Sequence, residues 1–170
     1  MKTSLVLPLI AISLGLTGCA PSTDAPVKTA NSASAQPAAT SAAKANLANG
    51  QAVFVRVCAV CHQANGQGVP GVFPPLAGSP IVDGDPKLLI RLVLHGLQGP
   101  IEVNGKTYNS VMPGQGLLLK DHEIADALTY VRNSWGHAAS PVSADDVAAI
   151  RASEKRTTMW TWAELTAASK

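Results

Sequence analysis

The chain has 170 residues, a formal net charge of +2 and only 14% charged residues. Such a length accommodates one domain with tails, and the balanced charge without a basic run argues against nucleic-acid binding. Aromatic residues make up 4% of the chain, and there are three cysteines. An odd cysteine count excludes a framework in which all cysteines pair within the chain, so each cysteine needs its own explanation.

The N-terminus has the pattern of an export signal. Lys2 precedes a mostly apolar run of 12 residues, Leu5 to Leu16, which leads into Leu16-Thr17-Gly18-Cys19. As a helix this run would span about 18 Å, well short of the roughly 30 Å hydrocarbon core of a membrane. The ending resembles the lipobox of bacterial lipoproteins, in which the cysteine is acylated after cleavage. We therefore predict a signal peptide at residues 1–18 and a lipid on Cys19; the alternative is an ordinary signal peptide with an incidental cysteine.

Residues 19–43 are rich in alanine, serine, threonine and proline. Asp24 and Lys28 are the only charged residues among them, and large apolar side chains show no periodicity. Because nothing there can be buried to offset the entropy of ordering, we predict a disordered, lipid-anchored tether with a typical reach of about 27 Å. A folded domain is expected at residues 44–137, followed by a C-terminal extension at 138–170.

The domain is predicted to be all-α, with three to four main helices and long loops. A first helix begins near Asn46 and runs into Cys58. The second helix has Asp85 as its N-cap, Pro86 at its first position and Gly96 just after its end. Its interior is apolar nearly all round, so deep packing is expected.

A third helix is predicted from about Asp121 to Asn133. It carries an apolar stripe at helical spacing: Ile124, Ala127, Leu128 and Val131. A fourth helix begins at Ser143, with Asp146 three residues later as in a capping box, and carries Val147 and Ile150. No strand-like alternation of useful length is present. The connecting loops, at 66–80 and 96–116, are long for so small a domain and are typical of loops that wrap a ligand.

Cys58-Ala59-Val60-Cys61-His62 has the CxxCH spacing of covalent c-type haem attachment. Two thiols at this spacing on a helix end reach both vinyl groups of one haem, and His62 then becomes the proximal iron ligand. A thioredoxin-like pair would need a βαβ setting, and a zinc site would need two further ligands nearby. The remaining histidines are scattered singly. We therefore predict one covalent haem c on Cys58 and Cys61.

Met112 is the predicted sixth ligand of the iron. It lies in a loop and is followed by Pro113, which restrains its backbone to an extended path that suits presentation of the sulfur. Histidine–methionine ligation raises the reduction potential and leaves no open position, which indicates electron transfer rather than catalysis. The alternative is a core-filling Met112 with an open or His-ligated iron. Met159 in the tail, 153–170, is predicted to pack; that tail could be a strap or a docking surface.

Over about residues 46–152 the chain resembles the class I monohaem cytochromes c. The stretches that carry the resemblance are Cys58–His62, Val72–Ser79, His95–Ile101, Tyr108–Pro113 and Glu123–Trp135. The chain is similar to cytochrome domains that serve periplasmic dehydrogenases, such as the cytochrome subunit of quinoprotein alcohol dehydrogenases, and to those of copper nitrite reductases. The CxxCH and Met-Pro stretches are specific for the class, and the others point to a subgroup.

The resemblance implies further contacts. The first and last main helices should cross, with Gly50 and Phe54 against Tyr130. The carbonyl of Pro74, or alternatively that of Pro75, should accept the proton of the ligand histidine. Four side chains could contact the haem propionates, line the pocket or simply pack: Tyr108, Asn109, Arg91 and Trp135. Lys120 stands where a serine or threonine cap is usual, so either Asp121 caps that helix or its end frays.

These features together predict a single-haem electron carrier, not an enzyme, lipid-anchored in the bacterial periplasm. Its donor would be a periplasmic dehydrogenase or another electron donor, and its acceptor a terminal oxidase or reductase. A dedicated cytochrome subunit of a periplasmic dehydrogenase complex is the main alternative. A haem-based sensor, which would need a displaceable Met112, is the third. One haem edge is expected to be exposed near Cys58, Cys61 and the 70–76 loop, as the port for electrons.

Overall fold

The computed structural model describes residues 46–169. The predicted signal peptide, the tether and Cys19 lie outside the described residues. The helices are α1 (46–53), a π-helical turn (Phe54–Cys58), α2 (Ala59–His62), α3 (Pro80–Asp83), α4 (Pro86–His95), α5 (Asp121–Val131), α6 (Ala144–Ser153) and α7 (Trp162–Ala168). The strands are β1 (Gly96–Leu97), β2 (Ile101–Val103), β3 (Lys106–Tyr108) and β4 (Met112–Pro113). Within 46–169, no helix combines the length and apolar character needed to cross a membrane.

Helix α4 has the predicted ends. The Asp85 carboxylate accepts a hydrogen bond from the Lys87 N–H at 2.9 Å, and Gly96 ends the helix with a φ of 82°. Leu89, Ile90 and Leu94 are buried in the protein core. Another part of its surface faces a cavity, described below. The core and the cavity together explain why apolar residues are found on nearly all faces of this helix.

Helix α5 begins at Asp121 as predicted and ends two residues earlier than predicted, at Val131. Its apolar stripe is buried throughout. At its start the Glu123 carboxylate accepts a hydrogen bond from the Lys120 N–H at 3.0 Å. The helix is therefore capped by Glu123, and neither a cap from Asp121 nor a frayed end describes it.

Helix α6 begins at the predicted serine cap, where the Ser143 hydroxyl accepts a hydrogen bond from the Asp146 N–H at 3.1 Å. Val147 and Ile150 are buried in the same apolar cluster as residues of α4 and α5. The fourth predicted helix is thus confirmed, and α4, α5 and α6 build the main core.

Helices α1 and α5 cross at Gly50, as the resemblance implies. A Cβ on Gly50 would lie 2.0 Å from the Asp126 carbonyl oxygen and 2.8 Å from the Tyr130 Cβ, so only glycine allows this approach. Beside the crossing, the fully buried Phe54 packs against Tyr130 and Trp135, with ring centroids 5.6 and 5.2 Å apart. This crossing holds the chain that leads into the CxxCH sequence.

The run into Cys58 is not a uniform α-helix. The Ala59 N–H donates to the Phe54 carbonyl, the i to i+5 bond of a π-helix. Such turns are rare in proteins overall, but those that occur are often found at functional sites. No residue pattern in this segment predicts the π turn.

Two short antiparallel ribbons lie in the second long loop of this mostly helical domain, where the sequence shows no strand-like alternation of useful length. Strand β1 pairs with β4, placing Leu97 opposite Met112, and β2 pairs with β3. Strands of two or three residues are too short to show alternation. The β2–β3 turn does have a sequence signal, Asn104-Gly105, both with positive φ as a type I′ hairpin requires.

The C-terminal tail packs on the domain. Trp160 pairs with Leu97 in a parallel bridge, and Leu165 of α7 is fully buried in the apolar cluster that contains Leu97 and Tyr108. Of the two alternatives for the tail, the structure supports packing as a strap.

Candidate haem site

An apolar cavity lies between α4, α5, the π-helical turn and the two long loops. It contains about 1400 Å³ of space not filled by protein atoms, its open mouth included. Six of the residues predicted to hold or contact the haem line this one cavity: Cys58, Cys61, His62, Pro74, Tyr108 and Met112. The two long loops therefore do wrap a common space.

His62 is oriented by a single hydrogen bond. Its Nδ1 lies 3.0 Å from the carbonyl oxygen of Pro74. Since a carbonyl only accepts, Nδ1 carries the proton, and Nε2 is left as the nitrogen with a free lone pair. Pro74, not Pro75, is thus the partner, and its bond fixes the ring and raises its basicity.

Burial lowers the pKa of His62, and the bond to Pro74 opposes that shift. The imidazole is therefore held in its neutral form, which is the form that binds metal.

The loop that carries Pro74 folds back tightly against the end of α2. The Gly68 N–H donates to the His62 carbonyl at 2.9 Å, and Val69 and Phe73 form an antiparallel bridge. A Cβ on Gly68 would lie 2.6 Å from the Pro74 carbonyl oxygen. Gly68 also has a φ of +63°, so both its conformation and its surroundings require glycine.

Cys58 and Cys61 are half-buried free thiols. Burial, with a smaller effect of the neighbouring Cys61, raises the pKa of Cys58 to about 11. At neutral pH Cys58 is therefore a neutral thiol, the S–H that adds across a vinyl group. Thioether formation removes this titration.

Met112 reaches the same cavity from β4. It is half-buried and packs against the apolar cluster of Leu97, Tyr108, Trp160 and Leu165. Tyr108 ends β3, is 4% exposed and also faces the cavity. The structure thus brings the predicted thioether ligand to the space that the CxxCH residues line.

Three of the less specific candidates do not line the cavity. Arg91 pairs with Glu154, Asn109 is exposed, and Trp135 packs on Phe54 and Tyr130. The sequence reasoning also missed several lining residues, among them Ile81, Leu92 and Val93. The apolar circumference of α4 was the signal for the last two.

The cavity reaches the protein surface beside the CxxCH residues. Val60, between the two cysteines, lines the cavity yet is 77% exposed, and Val111, next to Met112, is 53% exposed. Val72 in the 70–76 loop is 43% exposed. Exposed apolar side chains therefore lie at the mouth and in the neighbouring loop.

The residues present fit a covalent haem. Two thiols stand on one helix end, an imidazole of fixed tautomer is adjacent, and a thioether reaches the same apolar space. Apolar walls suit a macrocycle of this size, which supplies the large hydrophobic body that a core with two Phe and two Tyr lacks.

Comparison with known proteins agrees with this fit. The cytochrome c family model matches residues 47–135. Cytochrome c-552 of Thermus thermophilus is 45% identical over 114 residues, which cover 62% of this chain and 86% of that protein. The cytochrome c subunit of the quinone alcohol dehydrogenase of Gluconacetobacter polyoxogenes is 38% identical over 60% of this chain and 22% of its own length. The gluconate 2-dehydrogenase cytochrome c subunit of Pantoea cypripedii is 38% identical over 62% and 24%. The chain therefore belongs to the cytochrome c family, binds haem c covalently and carries electrons.

Proposed function

We propose that this chain carries electrons on a single haem attached to Cys58 and Cys61, with His62 and Met112 as the two axial ligands of its iron. The observation that supports the ligand assignment is the shared cavity. Both side chains, an imidazole of fixed tautomer and a thioether, line the space that the two thiols also line.

Each residue then has a distinct task. The haem supplies an iron that changes its charge by one electron. Pro74 holds the His62 ring in the tautomer whose Nε2 can bind iron, and Met112 would supply the second protein ligand, which would leave no position for a substrate. The apolar walls would keep water from the iron and disfavour its more highly charged form, which would raise the reduction potential. This combination supports a carrier and not an enzyme.

We infer that partners dock at the cavity mouth. Val60 and Val111 are exposed there, and Val72 is exposed in the neighbouring 70–76 loop, so these side chains offer apolar contact close to the attachment cysteines. Docking through such a surface depends weakly on ionic strength, because screening acts on charges. A donor of the dehydrogenase class and a terminal oxidase or reductase as acceptor would use the same mouth in turn.

The tethered shuttle in the periplasm, anchored by a lipid on Cys19, is the arrangement that we favour. A dedicated dehydrogenase subunit is the second candidate, since two of the similar proteins are named as cytochrome c subunits of dehydrogenases. Mass spectrometry of the mature N-terminus and loss of membrane attachment in Cys19→Ser test the anchor. Purification from detergent-solubilised membranes separates the two arrangements: a dehydrogenase that stays bound in stoichiometric amount throughout the purification would contradict the shuttle.

The ligand assignment is tested by absorption spectra of protein made in a host that matures c-type cytochromes. We expect a thioether-type pyridine haemochrome, and in the oxidised protein the weak long-wavelength band of iron–sulfur ligation. Met112→Ala should abolish that band, whereas the half-buried Met159→Ala should keep it. A band that survives in Met112→Ala, or protein that matures without colour, would contradict the proposal.

A further inference from the structure

The strand that carries Met112 is very short. Strand β4 has two residues, and its partner β1 also has two, with Leu97 opposite Met112. A ribbon of two such strands is marginal by itself in water. Its stability must therefore come from whatever lies against it.

Trp160 extends this ribbon from the other side. The Trp160 N–H donates to the Gly96 carbonyl at 3.0 Å, and the Gln98 N–H donates to the Trp160 carbonyl at 2.8 Å. Strand β1 therefore lies between β4 and the tail, and the two hydrogen bonds fix β1 along its outer edge.

The indole of Trp160 belongs to the apolar cluster against which the Met112 side chain packs. Trp160 is 8% exposed, and the cluster also contains Leu97, Tyr108 and Leu165. Met112 thus lies between the cavity and a cluster that the tail completes.

The position of Trp160 is itself held by charged groups. The Arg156 guanidinium lies 3.9 Å from the centre of the Trp160 ring, a cation–π geometry. The same guanidinium donates to the Met159 carbonyl at 3.0 Å and to the Glu164 carboxylate at 2.8 Å. Arg91 of α4 ties the two ends of the tail to the domain by bonding Glu154 and the Ser169 hydroxyl.

We propose that Trp160 is a positioning residue for Met112: its pairing with β1 and its indole hold the methionine strand so that the sulfur stays on the iron. This inference rests on the proposed ligation by Met112. Trp160 lies outside residues 47–135, which the family model matches, so the family resemblance does not supply this role. A strand with few supporting contacts opens locally more often than a well-supported one, and an iron ligand on it would then leave the metal more often.

Trp160→Ala tests the inference in mature, haem-loaded protein. The variant should lose or weaken the long-wavelength band, and its reduced form should bind carbon monoxide at least about tenfold more tightly than wild type, because the open state is more populated. Trp162→Ala is the matched control: Trp162 packs against the same cluster but shares no hydrogen bond with β1 among residues 46–169. It should keep the band and the wild-type affinity for carbon monoxide.

A second pair of variants removes the hydrogen bond without touching a buried side chain, in case Trp160→Ala does not mature. Gln98 is exposed, and its N–H donates to Trp160. Gln98→Pro deletes this donor, whereas Gln98→Ala keeps it. Only the proline variant should weaken the band and bind carbon monoxide more tightly.

The outcomes separate this inference from the ligation on which it rests. A wild-type protein without the band would overturn the ligation by Met112 and this inference with it. A wild-type band that depends on Met112 but persists unchanged in Trp160→Ala and Gln98→Pro would overturn the role of Trp160 alone. An equal loss in Trp160→Ala and Trp162→Ala would show general loosening of the cluster and would also overturn it.

Discussion

The two sides of the cavity are built differently. On the side of His62, the attachment cysteines and the Pro74 loop are close together in the sequence. Hydrogen bonds within that segment fix the His62 ring. On the side of Met112, a two-residue strand is supported by β1 and by a tail residue far along the chain, Trp160.

The two sides therefore differ in what keeps each ligand in place. Contacts that are local in sequence form at a small loss of loop entropy, whereas contacts between distant segments require long loops to close. Segments with few supporting contacts open locally at the smallest free energy. We therefore expect the His62 side to hold its ligand firmly and the Met112 side to yield first.

The largest expected effect is on the His62 side, at Gly50. In Gly50→Ala the new methyl would meet the Asp126 carbonyl oxygen at 2.0 Å, so α1 and α5 must separate. We expect a loss of roughly 3 kcal/mol or more in the free energy of unfolding, measured by urea denaturation, and a low yield of haem-loaded protein.

Gly84→Ala is the control for the substitution itself. Its φ is −72°, and its Cβ would lie 3.2 Å from the nearest atom, the Ile81 carbonyl oxygen. It should change the free energy of unfolding by no more than about 1 kcal/mol. Similar losses of unfolding free energy in both variants would mean that the α1–α5 crossing does not determine the stability of the His62 side.

The next effect is at Gly68, where the substitution acts on the ligand ring. Gly68→Ala places a methyl 2.4 Å from the Phe73 carbonyl oxygen and 2.6 Å from the Pro74 carbonyl oxygen, so the backbone at Phe73 and Pro74 that holds the His62 ring must shift. A weaker bond to Pro74 makes the imidazole less basic, so the reduction potential should rise while the iron–sulfur band stays. Redox titration and the absorption spectrum measure both.

Gly71→Ala is a matched control for this experiment. Gly71 has a φ of +75°, close to that of Gly68, but its Cβ would meet nothing within 4 Å. Both variants bear the strain of a left-handed residue, about 1–2 kcal/mol, but only Gly68→Ala should shift the potential. An equal shift in both would remove Pro74 from the explanation.

The same contrast explains what the sequence could reveal. The CxxCH residues, the Met112-Pro113 pair and the caps of α4 are local patterns with a direct physical meaning, so they were predictable. The choice of Pro74 came from family resemblance. The support of β4 by Trp160 was not predictable, because no periodicity links residues so far apart, and the π-helical turn has no residue signature.

The Met112 side can be probed through His95, which ends α4 beside the tail. Its Nε2 lies 3.6 Å from the Glu154 carboxylate, and its ring contacts Trp160 edge-on with centroids 6.4 Å apart. Burial lowers the pKa of His95; Glu154 and a backbone bond to Arg156 oppose this, while the charges of Arg156 and Arg151 add to it. Arg91 also faces this group through its pair with Glu154.

Because the pKa of His95 is lower in the folded state, folding favours the neutral imidazole. The contribution of this histidine to the free energy of unfolding is therefore complete above about pH 6.5, the ordinary histidine value, and is lost as the pH falls through the folded-state pKa. We expect the urea midpoint of the haem-loaded protein to fall between pH 7 and pH 5, and the iron–sulfur band to weaken with it. His95→Gln should flatten both changes. If the variant keeps the wild-type pH dependence, His95 is not the group that titrates.

The smallest expected effect is at the surface of the His62 side, where Glu123 joins α5 to the π-helical turn. Its carboxylate accepts from the Lys120 N–H at 3.0 Å and pairs with Arg56 at 2.8 Å. The bond to Lys120 first, and then Arg56, lowers the pKa of Glu123. The stabilisation is therefore present above the ordinary glutamate value, about 4.3, and is lost as the pH falls through the folded-state value.

Glu123→Gln keeps an oxygen acceptor for Lys120 and removes the charge. We expect a slightly lower urea midpoint at pH 7, a smaller difference in high salt because the pair is exposed, and a difference that shrinks as the pH falls and the wild-type carboxyl becomes neutral. Arg56→Gln, alone and combined with Glu123→Gln, separates the ion pair from the cap. A difference that persists unchanged as the pH falls through this titration would mean that the acceptor geometry, and not the charge, holds this end of α5, and the ion pair would then contribute nothing to the firmness of the His62 side.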